Sequence, residues 1–508
     1  MRTYWLAFAL VLAGCAGTSP TLSTPQMQTP TLGSTGLNSR SAMGNRPELT
    51  AEASLPALEA VKTPESTFVA APYLQLGNNP SVGKNDTLAL LWHAKPDEKA
   101  TWSVEVRPAT GGAWKKMAAP THRAVAVSGV DPHDVWSATL SGLAPGKLFD
   151  YRVSQGTTPV FTARARARRS SKENERFVVF GDFGSGSKDS KMLAAPVIAA
   201  KPDFLLLTGD LVYSRGRISE YRQNYFPVYN LDTVDAEKGG PLIRSTLAVA
   251  APGNHDIQSP DLDKYPDTKA FYYYWSQPLN GPLSPKGISP ISGTEANQTA
   301  FKNAAGNAYP RAANFSFDAG SAHVAVLDAD PYMDWTDPTL QKWLENDLKS
   351  SKATWKFVAM HHPPFHTSPE HEDDQWMRVL CPIFEKYGVK IVFGGHVHNY
   401  QRTFPLKFVP TKPRNEKGQV EGTFTYDKDY DGQTKTQPKG IIYVVTGAGG
   451  AELYEKAKDD APEKWQPFTK KVISSVHSFT TVDLEGKKLT LKQLSLEGKE
   501  LDSFVITQ

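Results

Sequence analysis

The sequence predicts an α/β layered domain preceded by a smaller all-β domain. Three observations predict it. Between residues 68 and 165 short runs alternate apolar and polar positions, the period of half-buried strands. From Arg176 onward the apolar runs stop alternating, as expected of strands buried on both faces. Helix-compatible segments then separate several of those runs, at 192–200, 339–348 and 376–387. The length of 508 residues fits two to four domains, at roughly 100–200 residues each. A hydrophobic content of 40%, with 21% charged residues and a net charge of +3, excludes wholesale disorder and a dedicated, strongly basic nucleic-acid binder. Two cysteines, Cys15 and Cys381, exclude a disulfide framework. No repeat of solenoid or propeller period is present.

Residues 1–15 read as a targeting segment. Arg2 supplies the positive charge, and 4–12 is an apolar stretch too short to span a bilayer. It ends Leu12-Ala13-Gly14-Cys15, which resembles a bacterial lipoprotein signal, with Cys15 as the lipidated first residue of the mature chain. An ordinary signal cleaved at nearby small residues is the alternative. Residues 16–67, rich in Thr, Ser, Pro and Ala, are expected to form a disordered tether. The protein is therefore expected to be exported and lipid-anchored to a bacterial membrane, on its periplasmic or cell-surface side, touching the membrane only through Cys15. Cys381, in a helix-like apolar pattern, is expected to be buried and inert.

The all-β domain, 68–165, is built from runs at 87–92, 102–106, 124–127, 136–140 and 149–153. That number of short strands suggests a β-sandwich. Leu143-Ala144-Pro145-Gly146 before a Tyr-bearing strand resembles a fibronectin-type-III turn, so a fibronectin-III-like domain is expected. Residues 163–176 then carry Arg164, Arg166, Arg168, Arg169, Lys172 and Arg176. This reads as an interdomain linker with a solvated charged face, in preference to a collector of anionic substrate. The α/β domain, 176–508, carries its apolar runs at 177–180, 204–207, 247–250, 323–327, 356–360 and 391–393.

Five of those runs end in loops that share a chemistry. They give Gly181-Asp182-Phe183-Gly184, Gly209-Asp210-Leu211-Val212-Tyr213, Gly253-Asn254-His255-Asp256, His361-His362-Pro363-Pro364 and Gly394-Gly395-His396-Val397-His398. Ligands of open α/β sheets bind beyond the carboxyl ends of the strands. Carboxylate, phenolate, amide oxygen and imidazole thus reach one rim, with no thiolate among them. Such donors suit iron, zinc or manganese. Asp182, Asp210, Tyr213, Asn254, His361, His396 and His398 are too many for one ion and enough for two that share a carboxylate. Each motif alone has a plainer reading, as a helix cap or a structural histidine. All five together do not.

The five blocks resemble the calcineurin-like metallophosphoesterases and, within them, the purple acid phosphatases. Tyr213, three residues after Asp210, is the specific mark. The stretches 395–403 and 444–450 and the preceding β domain also look like that family. The resemblance covers about residues 68–500. It implies a layered β-sandwich flanked by helices, with one metal held by Asp182, Asp210, Tyr213 and His398. The other would be held by Asp210, Asn254, His361 and His396, with Asp210 bridging. It implies Fe3+ at the tyrosine position and Zn2+, Mn2+ or Fe2+ at the other. The expected reaction is hydrolysis of phosphate monoesters of small molecules by metal-activated hydroxide, with no protein nucleophile. His255 and His371 resemble the family's two catalytic histidines beside the metals. His366 competes with His371 for its role, Asp256 is a candidate to orient His255, and His362 reads as a neighbour. Other readings are a phosphodiesterase of the same superfamily, or a surface binding protein that works through its β-sandwich.

The long polar insertion 257–314 is expected to select substrate. Its run Phe271-Tyr272-Tyr273-Tyr274-Trp275 either stacks an organic leaving group or packs under its own loop. The segment Asp427-Lys428-Asp429-Tyr430-Asp431-Gly432 matches the start of a Ca2+ loop, but position twelve is Pro438 and not Glu. It reads as an acidic turn.

Overall fold

The computed structural model describes residues 55–58, 61, 63–64 and 67–508. The expected signal at 1–15 lies outside the described residues, as does the rest of the expected tether.

Residues 70–166 form two four-stranded antiparallel sheets. One runs Ala70–Gln75, Asp86–Ala94, His133–Leu143, Thr121–Val125. The other runs Lys115–Lys116, Trp102–Pro108, Leu148–Gln155, Thr158–Arg166. Alternation decides which side chains go inside: Leu88, Leu90 and Trp92 of one sheet share a core with Val104, Tyr151 and Val153 of the other. Ala70–Gln75 shows no alternation because both its faces are covered. Leu74 packs inside this core, while Ala70 and Tyr73 pack in the next. The expected strand at 124–127 lies earlier, at Thr121–Val125.

The basic stretch is not a solvated linker face. Arg168 is buried against Asp86, with Nη2 2.7 Å from Oδ1. Arg164 pairs with Asp150 at 2.7 Å, Arg166 and Arg169 share Asp203 at 3.2 and 3.0 Å, and Arg176 pairs with Asp483 at 2.6 Å. The arginines are there because each meets a carboxylate: Asp86 and Asp150 in the first domain, Asp203 and Asp483 in the second, while Lys172 stays exposed. Burial without such partners would cost several kcal/mol per ion.

The second domain is a sandwich of two mixed sheets. The six-stranded sheet runs Leu247–Ala250, Phe204–Leu207, Glu175–Phe180, Ser478–Glu485, Lys488–Ser495, Glu500–Thr507. Its first three strands are parallel and the last three join antiparallel. The seven-stranded sheet runs Phe315–Ala319, Ala322–Leu327, Trp355–Met360, Ile391–Gly394, Ile442–Thr446, Tyr400–Thr403, Thr469–Ile473. Their inner faces meet ring on ring: Phe177 lies 5.5 Å from Phe357 and 6.1 Å from Phe393, and Phe204 lies 5.7 Å from Phe317.

Helices cover the outer faces. Pro338–Ser350 buries Leu340, Leu344 and Leu348, spaced by four on one stripe, against the seven-stranded sheet. Asp337 caps it by accepting from the Thr339 and Leu340 amides. Each such leucine contributes about 1.5–3 kcal/mol. The expected helix at 376–387 is a 3-10 turn, Trp376–Leu380, followed by Cys381–Lys386. Pro382 lacks an N–H and so sits where the ladder restarts. Cys381 is buried, and burial pushes its thiol up to about 12. Among the described residues no helix is long and apolar enough to cross a membrane.

The run Phe271–Trp275 is buried throughout. Tyr274 bonds His133 at 2.9 Å, and Tyr73 donates to the Tyr274 carbonyl at 3.0 Å. This run therefore packs the insertion onto the N-terminal domain and stacks no leaving group. In the acidic turn, Asp427 and Asp431 spend their carboxylates on their own loop: Asp427 accepts from the Tyr430 and Lys439 amides, and Asp431 from those of Gln433, Thr434 and Lys435.

Candidate metal centre

The parallel strands of both sheets deliver their following loops to one rim. Seven described non-glycine residues have positive φ, and three of them are Asp182 (58°), Asp210 (51°) and His396 (68°). Such conformations persist where the surroundings hold them in place, and they concentrate at functional sites. Two glycines make room. A Cβ on Gly209, whose φ is 91°, would stand 2.6 Å from His361 Nδ1. One on Gly395 would stand 2.7 Å from Asp182 Oδ2.

Three groups of side chains converge there. In the first, Tyr213 Oη lies 3.4 Å from Asp182 Oδ1 and 3.3 Å from His398 Nε2, and that nitrogen is 3.5 Å from Asp182 Oδ1. Ligand atoms of Asp182, Asp210 and His398 all lie within 4.8 Å of one another. In the second, His361 Nε2 lies 3.0 Å from Asn254 Oδ1 and 3.3 Å from Asp210 Oδ1. Ligands about 2.1 Å from a shared ion stand about 3.0–3.4 Å apart in octahedral or tetrahedral geometry, so both spacings fit.

The histidine tautomers fit as well. His361 Nδ1–H donates to the Thr208 carbonyl at 2.7 Å, and His398 Nδ1–H donates to the Glu452 carbonyl at 2.9 Å. Each leaves Nε2 facing the rim, the usual way a backbone acceptor orients a metal-binding imidazole. The electrostatics call for a cation at the same place. Burial, with repulsion from Asp210, raises the Asp182 carboxyl far above its ordinary range. Burial opposes ionisation of Asp210 too, but His361 outweighs it and holds Asp210 down. His361 is raised to about 10: burial works against its charge, and Asp210 and Asp182 overcome that. A proton on His361 is the cation that a bound metal would replace. The donors therefore fit two ions sharing Asp210.

His396 differs from the set expected for the second metal. Its backbone N–H donates to both Asp182 oxygens at 3.0 Å, while its Nε2 lies 3.0 Å from Asp374 Oδ2. His371 Nδ1 is 3.2 Å from the same oxygen, making the third group. His371 Nε2 meets the Tyr454 hydroxyl at 2.9 Å, and that hydroxyl also lies 3.1 Å from the His396 carbonyl. The His396 ring centroid is 4.2 Å from that of His371 and 5.1 Å from that of His361.

His255 stands at the edge, with its side chain one-third exposed. Its backbone N–H donates to Asp210 Oδ1 at 3.0 Å, its Nδ1–H donates to the Ser214 carbonyl at 2.8 Å, and Nε2 is 3.8 Å from Asp210 Oδ2. Asp256 does not orient it: that carboxylate accepts from the Leu211 and Gly253 amides and ties two rim loops together. His366 is buried, accepts from the Ser368 amide at 3.3 Å, and is pushed down to about 3 by burial and by His396. His362 is buried with Nδ1 3.8 Å from Asp330 Oδ1.

Asp374 and Tyr454 were not anticipated. They lie deep in the loops that follow Trp355–Met360 and Ile442–Thr446, well past the strand ends, so nothing in the local pattern marked them. Asp328 and Asp330 also escaped notice, although they follow the run at 323–327 by the same rule as the other loops. Both are buried at the rim, and Tyr332 donates to Asp328.

A cavity of about 490 Å3 adjoins Asn254 and His255 and reaches Arg215, Gln258 and Tyr332. A larger one, about 810 Å3, lies in the N-terminal domain against Val106, Leu148 and Phe149. It contains none of the rim residues, and the chemistry belongs to the rim.

Residues 175–400 match the family model of the calcineurin-like phosphoesterases. Curated relatives include probable inactive purple acid phosphatase 24 of Arabidopsis thaliana, 24% identical over 359 residues, which are 64% of this chain and 50% of that protein. Purple acid phosphatase 21 of the same plant is 26% identical over 293 residues, 55% of this chain and 51% of that one. Acid phosphatase type 7 of Mus musculus is 24% identical over 400 residues, 72% of this chain and 75% of that one. The chain spans about half the length of several of these relatives. In fold it is similar to the purple acid phosphatase PPD1 of yellow lupin seeds, with a TM-score of 0.62 at 19% identity over 86% of this chain and 74% of that one. The purple acid phosphatase family implies a binuclear metal centre.

Proposed function

We propose, from the premise that residues 175–400 form a calcineurin-like metallophosphoesterase domain with purple acid phosphatase homologues, that the protein hydrolyses phosphate monoesters at a binuclear centre. One observation carries the reading. Asp182–Tyr213–His398 and Asp210–Asn254–His361 lie on one rim with donor atoms 3.0–3.5 Å apart. We assign ferric iron to the tyrosine group and zinc, manganese or ferrous iron to the other, with His396 beside the second.

When bound, the ions acidify water and neutralise charge on the phosphoryl oxygens. The chain does the rest. Thr208 and Glu452 keep the Nε2 lone pairs of His361 and His398 on the rim. Asp256 fixes the two loops that carry Asp210 and Asn254. His255, anchored through Nδ1 to the Ser214 carbonyl, presents Nε2 beside Asp210 and gives the departing alkoxide its proton. His371, held by Asp374 and Tyr454 through its two nitrogens, packs against the His396 ring and, in this reading, orients that imidazole on the phosphoryl side of the site. The N-terminal pair of sheets is read as a fibronectin-III-like platform, and Cys15 as the lipid anchor of an exported protein.

The test is hydrolysis of a panel of mono- and diesters by protein whose metal content has been measured. Monoester turnover at least tenfold above diester turnover is expected. Fully metallated protein that hydrolyses no ester overturns the reading, and a diester preference replaces it with the phosphodiesterase alternative.

A further inference from the structure

The cavity beside Asn254 and His255 is larger than one phosphate needs. At about 490 Å3 it falls in the range that holds whole small-molecule ligands, roughly 300–1,000 Å3. Its lining contains no Asp or Glu. It contains one permanent cation, Arg215, together with Asn254, His255, Gln258, Pro260 and Tyr332.

Arg215 stands two residues beyond Tyr213 on a turn that is fixed from beneath. The Glu220 carboxylate accepts from the Ser214, Arg215 and Arg217 amides, with contacts of 2.6, 3.2 and 2.9 Å. The Ser214 carbonyl receives His255 at 2.8 Å, and Thr268 donates to the Arg215 carbonyl. The backbone is thus held, while the guanidinium rests on the Tyr265 ring, 4.7 Å from its centroid. Lys264 shares that ring at 5.4 Å. Arg217 also approaches it at 5.6 Å but is paired with Asp267 at 2.8 Å. The neighbouring carboxylates are committed: Asp261 accepts from the Asp263 and Lys264 amides, and Asp263 from Thr294 and Asn297. A guanidinium on a fixed turn, lining a carboxylate-free pocket together with Asn254 and His255 of the rim, suits an anion.

We infer that Arg215 selects phosphoryl substrates that carry a second anionic group on the leaving-group side, a second phosphoryl group being the best match to its fork. The inference rests on the phosphoester reading above. Asn254 and His255 of the rim line the same cavity as Arg215, so a scissile phosphate at the rim would leave the second anion to the guanidinium. Tyr265 holds the side chain in place, which lowers the entropy lost on binding.

The experiment compares metal-loaded wild type with Arg215→Ala and Arg215→Lys. The first readout is the ratio of kcat/KM for a nucleoside diphosphate to that for p-nitrophenyl phosphate. The ratio should fall about tenfold in Arg215→Ala and less in Arg215→Lys, the loss lying mainly in KM. A ratio unchanged within twofold, or a fall in kcat alone, overturns the inference. The second readout needs no turnover: calorimetric binding of methylenediphosphonate, whose P–C–P link is not hydrolysed, and of phosphate. Wild type should prefer the diphosphonate, and Arg215→Ala should lose that preference. A preference that survives the substitution overturns the inference. If the preference is present and Arg215-dependent but no ester is hydrolysed, the hydrolase reading fails and the anion site stands.

Discussion

Replacing Arg168 by methionine tests how the two domains are joined. Arg168 and Asp86 are both buried. Asp86 Oδ1 accepts from Arg168 Nε at 3.0 Å and Nη2 at 2.7 Å, and Oδ2 accepts from the Arg168 backbone amide at 2.7 Å. The guanidinium also reaches the Asp318 carbonyl at 3.2 Å, across the seam. Methionine fills much of the volume but leaves a buried carboxylate with backbone donors only, those of Arg168 and Thr87. Breaking a buried pair from one side costs about 3–5 kcal/mol. With two amides still donating, the lower end, about 3 kcal/mol, is expected, a loss of roughly a hundredfold in the folding constant. Asp86→Asn added to Arg168→Met removes the orphaned charge and should restore at least half of the loss. The assay is denaturant unfolding followed by tryptophan fluorescence, since Trp92 lies in the sandwich core. A midpoint unmoved in Arg168→Met, or a double variant no better than the single, refutes the reasoning.

His323 should make stability depend on pH. Asp318 and Asp347 hold its two nitrogens at 2.8 and 2.9 Å, and although burial opposes them they raise it to about 9. Its contribution, on the order of 3 kcal/mol, is present in full below pH 6.5 and lost as pH rises through 9, and His323→Gln should flatten that slope in denaturation curves. Asp210→Ala should lose both metals by elemental analysis and nearly all hydrolysis, whereas His255→Ala should keep the metals and lose about 100-fold or more in turnover. Metal loss in His255→Ala contradicts its assignment. Iron-loaded protein should show a visible charge-transfer band that Tyr213→Phe abolishes, and a band that survives the substitution removes Tyr213 from the iron. Cys15→Ala should release the protein from the membrane fraction, and unchanged retention rules out the lipid.

The rim was legible because buried parallel strands leave an unmistakable trace: an apolar run, then a glycine, then the donor. Asp182, Asp210, Asn254 and His396 all follow it, and His361 follows its run directly, without the glycine. Asp374 and Tyr454 do not, since long loops place them through tertiary contacts that have no period. The arginine stretch misled for a related reason. A row of charges reads as solvated until its carboxylates are found, and these come from as far away as Asp86 and Asp483. The C-terminal strands were equally hidden, because their partner Glu175–Phe180 lies some three hundred residues earlier.

That last pairing sets a clock. Glu175–Phe180, which leads into Asp182, gains its second neighbour only from Ser478–Glu485. Arg176 and Asp483, joined across that pairing, are 307 positions apart. At roughly 5–20 residues per second the strand waits about 15–60 s of synthesis with one edge bare. Such non-local pairing is slow even once the chain is complete. The rim therefore takes its final form late, after every histidine and aspartate on it has been made.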